Sequence, residues 1–441
     1  MPLRWNNGYL FLLLPLSAGV VLLIAYLFYY DGLDFGGSYD PPGAVDVALD
    51  DLVLPTLTVK SFTGVPEQRD GLLVVDRMHG NNFSDAEMVA FFSRVESHGF
   101  ETRPIGVEAF SPAGRLLILE AELKRADTLA IILPTISFDD REIGLIQDFI
   151  EKDGKVILIG DPARASVMNS IAEPLGFVFE EGFLYNLIEH ELNYRNIFLR
   201  DFRVDPLTEG LEQITFYTAG SIRSNKSGIP IVTGDGNTYS SLVDRTAPFA
   251  SVMKSEDGQV LAISDSSFFF PPRNTTTDNS RFIANIADFL TDVNRSFSLG
   301  DAPHFFRDRV DVIAGDFAPP TAASQMKDLL NEQDIPADVK QVEDLLRDTV
   351  FIGLYQDFPD VAQFMLPAGV SVGANIETPF TTALPIAGTG LMLFHTGSDG
   401  RQVLVMLADS ESSLSQLLLR FQTGQLDSGL VSDRVGVFRL P

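Results

Sequence analysis

The chain has no cysteine in 441 residues. Disulfides, Cys-ligated zinc and thiolate catalysis are therefore excluded. The absence also suits an oxidising exterior, where a stray thiol is a liability. Phosphate-binding signatures are missing too: there is no G-x-x-x-x-G-K-[ST] and no strand-linked G-x-G-x-x-G. Neither an H-E-x-x-H metal helix nor a G-x-S-x-G nucleophile elbow occurs. Positive charge is scarce, with 32 Lys and Arg against 60 Asp and Glu and a formal net charge of −28. A field of that sign repels nucleic acid and anionic lipid headgroups.

One long apolar run is present. Tyr9 to Tyr30 carry no charged side chain, and about 20 such residues at ~1.5 Å each cover a ~30 Å hydrocarbon layer. Arg4 precedes the run, and no Lys or Arg follows until Lys60. That asymmetry predicts a cytoplasmic N-terminus and an outer location for the rest. The run ends in Tyr26-Leu-Phe-Tyr-Tyr30, which suits an interfacial anchor better than the small residues of a cleavage site. Residues 1–30 are thus expected to form a single-pass anchor in the cytoplasmic membrane. Residues 31–70 follow as a linker broken by Gly36-Gly37, Pro41-Pro42-Gly43 and Pro55.

From Gly71 the pattern becomes α/β. Leu72-Leu-Val-Val-Asp76, Leu129 to Leu133, Val156-Ile-Leu-Ile159 and Val260 to Asp265 are short continuous apolar runs. Such runs mark strands buried on both faces. Amphipathic helices are expected from Ser84 (a capping box with Glu87), from Ser137, and over Asn279–Leu290. Gly- and Pro-punctuated strands over residues 177 to 265 read as antiparallel additions. The expected fold is α/β, a mostly parallel doubly wound sheet of flavodoxin-like or amidotransferase-like type over residues 71–297. A second, smaller α/β domain is expected over residues 298–441, with a helix from Pro320 to Glu332 and a hairpin around Gly397-Ser-Asp-Gly400.

Four stretches carry a family resemblance: Gly71-Leu-Leu-Val-Val-Asp76 with its loop to Ser84; Lys155-Val-Ile-Leu-Ile-Gly-Asp-Pro162; Leu192 to Asn196 with Pro206 to Gly210; and Gly258 to Phe268 with Asp278, Asn279 and Asn285. Together, over about Gly71 to Leu290, the chain resembles membrane-anchored bacterial domains of unknown function with a class I glutamine-amidotransferase-like fold. These are similar to the auxiliary component of gliding-motility-type ABC transporters and to the intraflagellar-transport-like domain. The resemblance implies a binding or scaffold role in an ABC-type transport or envelope assembly. It also implies a nucleophile turn at Gly160-Asp161-Pro162, and without cysteine that turn cannot carry out amidotransfer.

Asp76, Asp161 and Asp265 each end an expected buried strand, where ligands bind in open parallel sheets. Convergent, they would offer oxygen ligands to Mg²⁺ or Ca²⁺, and with His79 as acid or base they would make a metal-assisted hydrolase. Strand-end Asp residues equally serve as turn formers and helix caps, and His79 as a loop-packing residue. Asn279 reads as a helix cap, and Asn285 as either a ligand group or a bond to a neighbouring backbone. Phe268-Phe-Phe270 is either a docking lip or core. The reading favoured by these features is non-catalytic binding, with a protein partner in a membrane complex, no nucleic acid, no cofactor and no metal.

Overall fold

The computed structural model describes residues 8–29, 60–106, 111–225, 228–246, 248–306, 309–398, 400–424, 426, 429 and 432–440. Arg4, Tyr30, Asp399 and most of the expected linker (31–59) lie outside the described residues. Met1–Thr56 and Leu57–Pro441 form two compact units.

In the first unit, helix α1 (Gly8–Tyr29) is 22 residues long, or ~33 Å at 1.5 Å per residue. Its segment Leu12–Tyr29 has a mean hydropathy of 2.2 and none of it is buried. Pro15 lies inside the helix.

The second unit begins its sheet with β1 (Gly71–Asp76), of which all but Gly71 are buried. Successive β1 side chains point to opposite faces. Leu73 and Val75 enter one hydrophobic cluster with Met88 and Phe91 of α2 (Asp85–Glu96). Leu72 and Val74 enter another with Leu119 of α3 (Pro112–Arg125) and Ile146 of α4 (Asp140–Glu151). A strand apolar on both sides is thus sandwiched between helices, the three-layer arrangement of a doubly wound sheet.

Along the main path of this ten-stranded sheet the other strands are β2 (Phe100–Ile105), β3 (Thr128–Ile132), β4 (Lys155–Ile159), β5 (Phe177–Phe179), β6 (Ile222–Ser224), β7 (Ala250–Ser255) and β8 (Val260–Ile263). Their order is β2-β1-β3-β4-β8-β7-β6-β5. The first five run parallel and the last three pair antiparallel. Helix α5 (Asn279–Thr291) packs against α2 on one face.

Two local expectations need correction. The helix expected from Ser137 starts at Asp140, because the Asp139 carboxylate accepts from Arg141 N and Glu142 N and closes a capping box with Glu142. The helix expected from Pro320 starts at Ala322, two residues later. Of the Phe268 cluster, Phe268 and Phe269 are completely buried, and Phe268 stacks on Phe216 and Phe282. The cluster is core rather than a docking lip.

A second sheet is built from β9 (Val310–Ala314), β10 (Ala337–Lys340), β11 (Asp348–Leu354), β12 (Thr389–Thr396), β13 (Gln402–Ala408) and β14 (Val435–Arg439), ordered β10-β9-β11-β13-β12-β14. Here β12 and β13 form the expected antiparallel hairpin. Polar contacts tie the two sheets together. Lys152 Nζ donates to Asp301 at 2.9 Å and to Ser298 Oγ at 3.0 Å. The Arg125 guanidinium donates to Gln333 Oε1 at 2.9 Å.

Phe268→Ala is expected to cost about 3–5 kcal/mol, the usual range for a fully buried Phe. Urea unfolding of the purified chain measures it, and a change under 1 kcal/mol would mean that this ring is not part of the core.

Candidate functional site

The three strand-end aspartates share one local device. In each, a carboxylate oxygen accepts the N–H two residues on: Met78 N to Asp76 at 3.0 Å, Ala163 N to Asp161 at 2.8 Å, and Ser267 N to Asp265 at 2.6 Å. These Asx turns reverse the chain as it leaves the sheet. The sheet order places β3 between β1 and β4, so Asp76 stands about two strand spacings, ~10 Å, from Asp161. Asp161 and Asp265 follow the adjacent strands β4 and β8. The structure therefore brings Asp161 and Asp265 together and leaves Asp76 apart. Among the described residues, no three His, Asp or Glu side chains group to hold a metal ion.

Asp76 belongs to a different constellation. His79 Nδ1 lies 3.0 Å from both Asp76 oxygens, and Asn81 Nδ2 donates to Asp76 at 3.2 Å. On its other side, His79 Nε2 lies 3.4 Å from Glu142 Oε2. That separation is an ion-pair contact without hydrogen-bond geometry, which leaves Nε2 without a hydrogen bond. Glu142 Oε1 in turn accepts from Arg115 Nε at 3.0 Å. The imidazole stacks on Phe138 with ring centroids 3.6 Å apart. Asp76, His79, Glu142 and Arg115 thus form an alternating chain of charges, all of them buried.

Electrostatics shift two members of this chain, Glu142 and His79. Burial alone would push the Glu142 carboxyl up. Contacts from His79 and Arg115 and the Asp139 N–H reverse this and hold it down at about 2. Burial alone would lower the His79 pKa, but Asp76 and Glu142 outweigh it and raise it. His79, clasped by two carboxylates, therefore holds its proton to higher pH than a free imidazole. It is also completely buried, so it reaches no substrate.

The loop holding His79 closes the crevice at the switch point between β1 and β3, where ligands commonly bind in such sheets. Thr135 N and Ile136 N both donate to His79 O, and Asn81 Nδ2 donates to Ile132 O. Gly80 has a φ of +61°, and a Cβ there would come within 2.6 Å of Thr135 Oγ1. Glycine is what allows the loop to lie this close to the sheet.

An open cleft of about 550 Å³ lies one step along, at the carboxyl ends of β4 and β8. Ser137, Asp161, Arg164, Asn169, Glu181 and Ser221 are among the side chains that line it. Arg164 is paired with Glu87 at 3.2 Å. Asp161 is bonded to Ser266 Oγ at 2.7 Å as well as to its own turn. Asp265 lies behind, completely buried. Burial and the neighbouring Asp161 charge push its carboxyl well above the usual range.

The two asparagines serve the backbone. Asn279 pairs with the Thr215 peptide in both directions at 2.9 Å, as a neighbouring strand would, while Asp278 is the helix N-cap. Asn285 Nδ2 donates to Leu207 O and Glu209 O at 3.0 and 3.1 Å. Sequence reasoning missed Glu142 and Arg115. The capping-box spacing at Asp139 marks Glu142 as a helix-start residue, but nothing local marks its inward partner.

No family model matches the chain, and no curated protein does. Solved structures similar to it include the mmIFT52 N-terminal domain, at 9% identity and a TM-score of 0.42, covering 50% of this chain and 99% of that one. A putative ThuA-like protein from Parabacteroides merdae is 11% identical with a TM-score of 0.34, covering 53% of this chain and 94% of its own. PurLQS from Thermotoga maritima is 10% identical with a TM-score of 0.30, covering 50% and 97%. At these scores the likenesses say nothing about activity.

The charge chain sets a pH dependence with two limbs. Glu142 is held below its unfolded value, so its contribution is present above about pH 4.5 and is lost as pH falls towards about 2. It is on the order of 3 kcal/mol. His79 is raised, so its contribution is complete below about pH 6.5 and is lost as pH climbs through the raised value. Chemical unfolding across pH is expected to show the wild-type advantage over Glu142→Gln shrinking below pH ~4.5, and that over His79→Gln shrinking above pH ~6.5. Parallel curves for wild type and variants would refute the ion chain.

Proposed function

We propose that this chain is a non-catalytic, membrane-anchored binding or scaffold protein on the outer side of a bacterial cytoplasmic membrane. In this reading α1 spans the membrane with the N-terminus inside, and Leu57–Pro441 stands outside. The carrying observation is that Asp76, His79, Asp161 and Asp265 are all buried and bonded within their own fold. A general acid or base must reach its substrate within hydrogen-bond distance, and these groups are committed elsewhere. The polar cleft beyond β4 and β8 is the surface left for a ligand or partner segment. The length and hydropathy of α1 support the anchor. An ABC-type transport or envelope assembly as the setting rests on the resemblance of the Gly71–Leu290 stretches alone.

Alkaline phosphatase fused after Pro441 is expected to be active in intact cells, and protease added to spheroplasts to remove the bulk of the chain. An inactive fusion with a protected chain would reverse the topology. Filling the cleft with Ser137→Trp and Ser166→Trp is expected to abolish co-purification of the partner with full-length chain while leaving its melting temperature unchanged. A purified hydrolytic activity that disappears in His79→Gln would sink the non-catalytic reading.

A further inference from the structure

The second sheet ends on one side at β10 (Ala337–Lys340), which pairs only with β9, in parallel. In such a ladder, alternate residues of a strand turn their peptide groups towards the neighbour. Val310 N donates to Pro336 O at 2.8 Å, so Pro336, Asp338 and Lys340 face β9 while Ala337 and Val339 face outward. Asn331 Oδ1 accepts from Ala337 N at 3.1 Å and occupies that outward donor. Among the described residues, nothing bonds to the outward N–H and C=O of Val339.

Side chains alternate across the strand. Asp338 and Lys340 share one face, and Val339, 45% exposed, lies on the other. Arg309 holds Asp338 through Oδ2 at 2.9 Å and leaves Oδ1 for a second cation. Lys340 is exposed and, among the described residues, enters no salt bridge. The surroundings are acidic: Glu332 and Asp334 precede the strand, and Glu343 and Asp344 follow it. Glu343 is paired with Arg401, and Asp344 with Arg347 at 3.7 Å. Charges on an edge strand discourage indiscriminate strand addition. A partner strand must therefore answer Asp338 with a base and Lys340 with an acid, with an apolar residue between them.

We propose that β10 pairs antiparallel with β10 of a second copy of this chain, across a two-fold axis through Val339. Read backwards, Asp338-Val-Lys340 becomes Lys-Val-Asp, so the strand supplies its own complement. Each Asp338 then faces Lys340 of the partner subunit, and Val339 faces Val339 of the partner subunit. Backbone parity excludes the other registers. In an antiparallel pair, opposite residues either both turn their peptide groups across the seam or both turn them away. The axis must therefore pass through a residue, not between two. Through Asp338 or Lys340 it would set like charges opposite. Through Ala337 it would need the N–H that Asn331 already takes. Through Val339 the two copies exchange both peptide bonds, and the two six-stranded sheets run on into one. Register, not net charge, selects the second copy. Two ion pairs at the seam stand against the repulsion of two chains of −28 each, which makes the contact sensitive to a single charge at 338 or 340.

The chain has no cysteine, so an introduced thiol is the only one. In this register the two Val339 Cα atoms stand ~5.5 Å apart, within disulfide reach, while the two Gln341 Cα atoms stand ~14 Å apart. Full-length Val339→Cys in detergent, oxidised with diamide, is expected to give a disulfide dimer at ten-fold or greater yield than Gln341→Cys. Adding Asp338→Lys or Lys340→Asp to Val339→Cys is expected to cut that yield at least ten-fold with an unchanged melting temperature. Mixing these two charge variants restores opposite charges at both positions, and is expected to bring the yield back to within two-fold of Val339→Cys alone. If Asp338→Lys fails to fold for want of its Arg309 pair, Lys340→Asp carries the test by itself. No dimer from Val339→Cys, equal yield from Gln341→Cys, no loss with Lys340→Asp, no recovery on mixing two folded variants, or an adduct of a different mass would each overturn the proposal. Pairing at β10 does not require α1 to span a membrane. The fusion and protease results can therefore fail while the cross-link stands, and the reverse.

Discussion

The buried chain Arg115–Glu142–His79–Asp76 is the constraint around which the first sheet is organised. Its members come from α3, α4 and the end of β1 together with its following loop. Burying a lone charge is costly, and the chain avoids this by alternating sign, so that each inner charge has an opposite neighbour on both sides. Removing one partner leaves another charge buried without compensation, typically a loss of about 3–5 kcal/mol. The arrangement fixes the loop after β1 against β3 and occupies the crevice where a doubly wound sheet ordinarily takes its ligand. What remains open is displaced to the ends of β4 and β8, where the parallel half of the sheet gives way to the antiparallel half.

That displacement accounts for the fate of the strand-end carboxylates. Each accepts the backbone N–H two residues downstream. Asp161 also takes a hydroxyl from the loop after β8, and Asp265 takes Tyr217 N. The positions around the turn after β4 work to hold loops together.

The sheet was readable in the sequence because strands buried on both faces have few alternatives to an unbroken apolar run. The runs Leu72 to Val75 and Val156 to Ile159 are strands, and of the run Leu129 to Leu133 all but Leu133 is strand. Their end residues were readable too, since Asp at a strand terminus has a local reason to be there. The partners of those residues were not. Glu142 lies 27 residues from Arg115, and only the packing of α3 on α4 makes them neighbours. The helix of Arg115 itself was missed, because its consecutive Leu116-Leu-Ile-Leu119 masks the helical spacing and its start rests on a Ser111 cap with Pro112. The start of α4 was misplaced by three residues because Ser137 and Asp139 both suit an N-cap, and the Glu142 carboxylate, answering Asp139 N, decides between them.

Helix α3 has duties at both ends. At its first turn Arg115 closes the charge chain, while at its last turn the carbonyls of Leu123 and Ala126 accept from the Arg295 guanidinium, in the segment that leads into the second sheet. Arg125, from the same last turn, reaches Gln333 beyond that segment. The helix is a strut pinned at opposite ends to separate pieces of masonry, and neither piece can shift along it without prising loose a guanidinium.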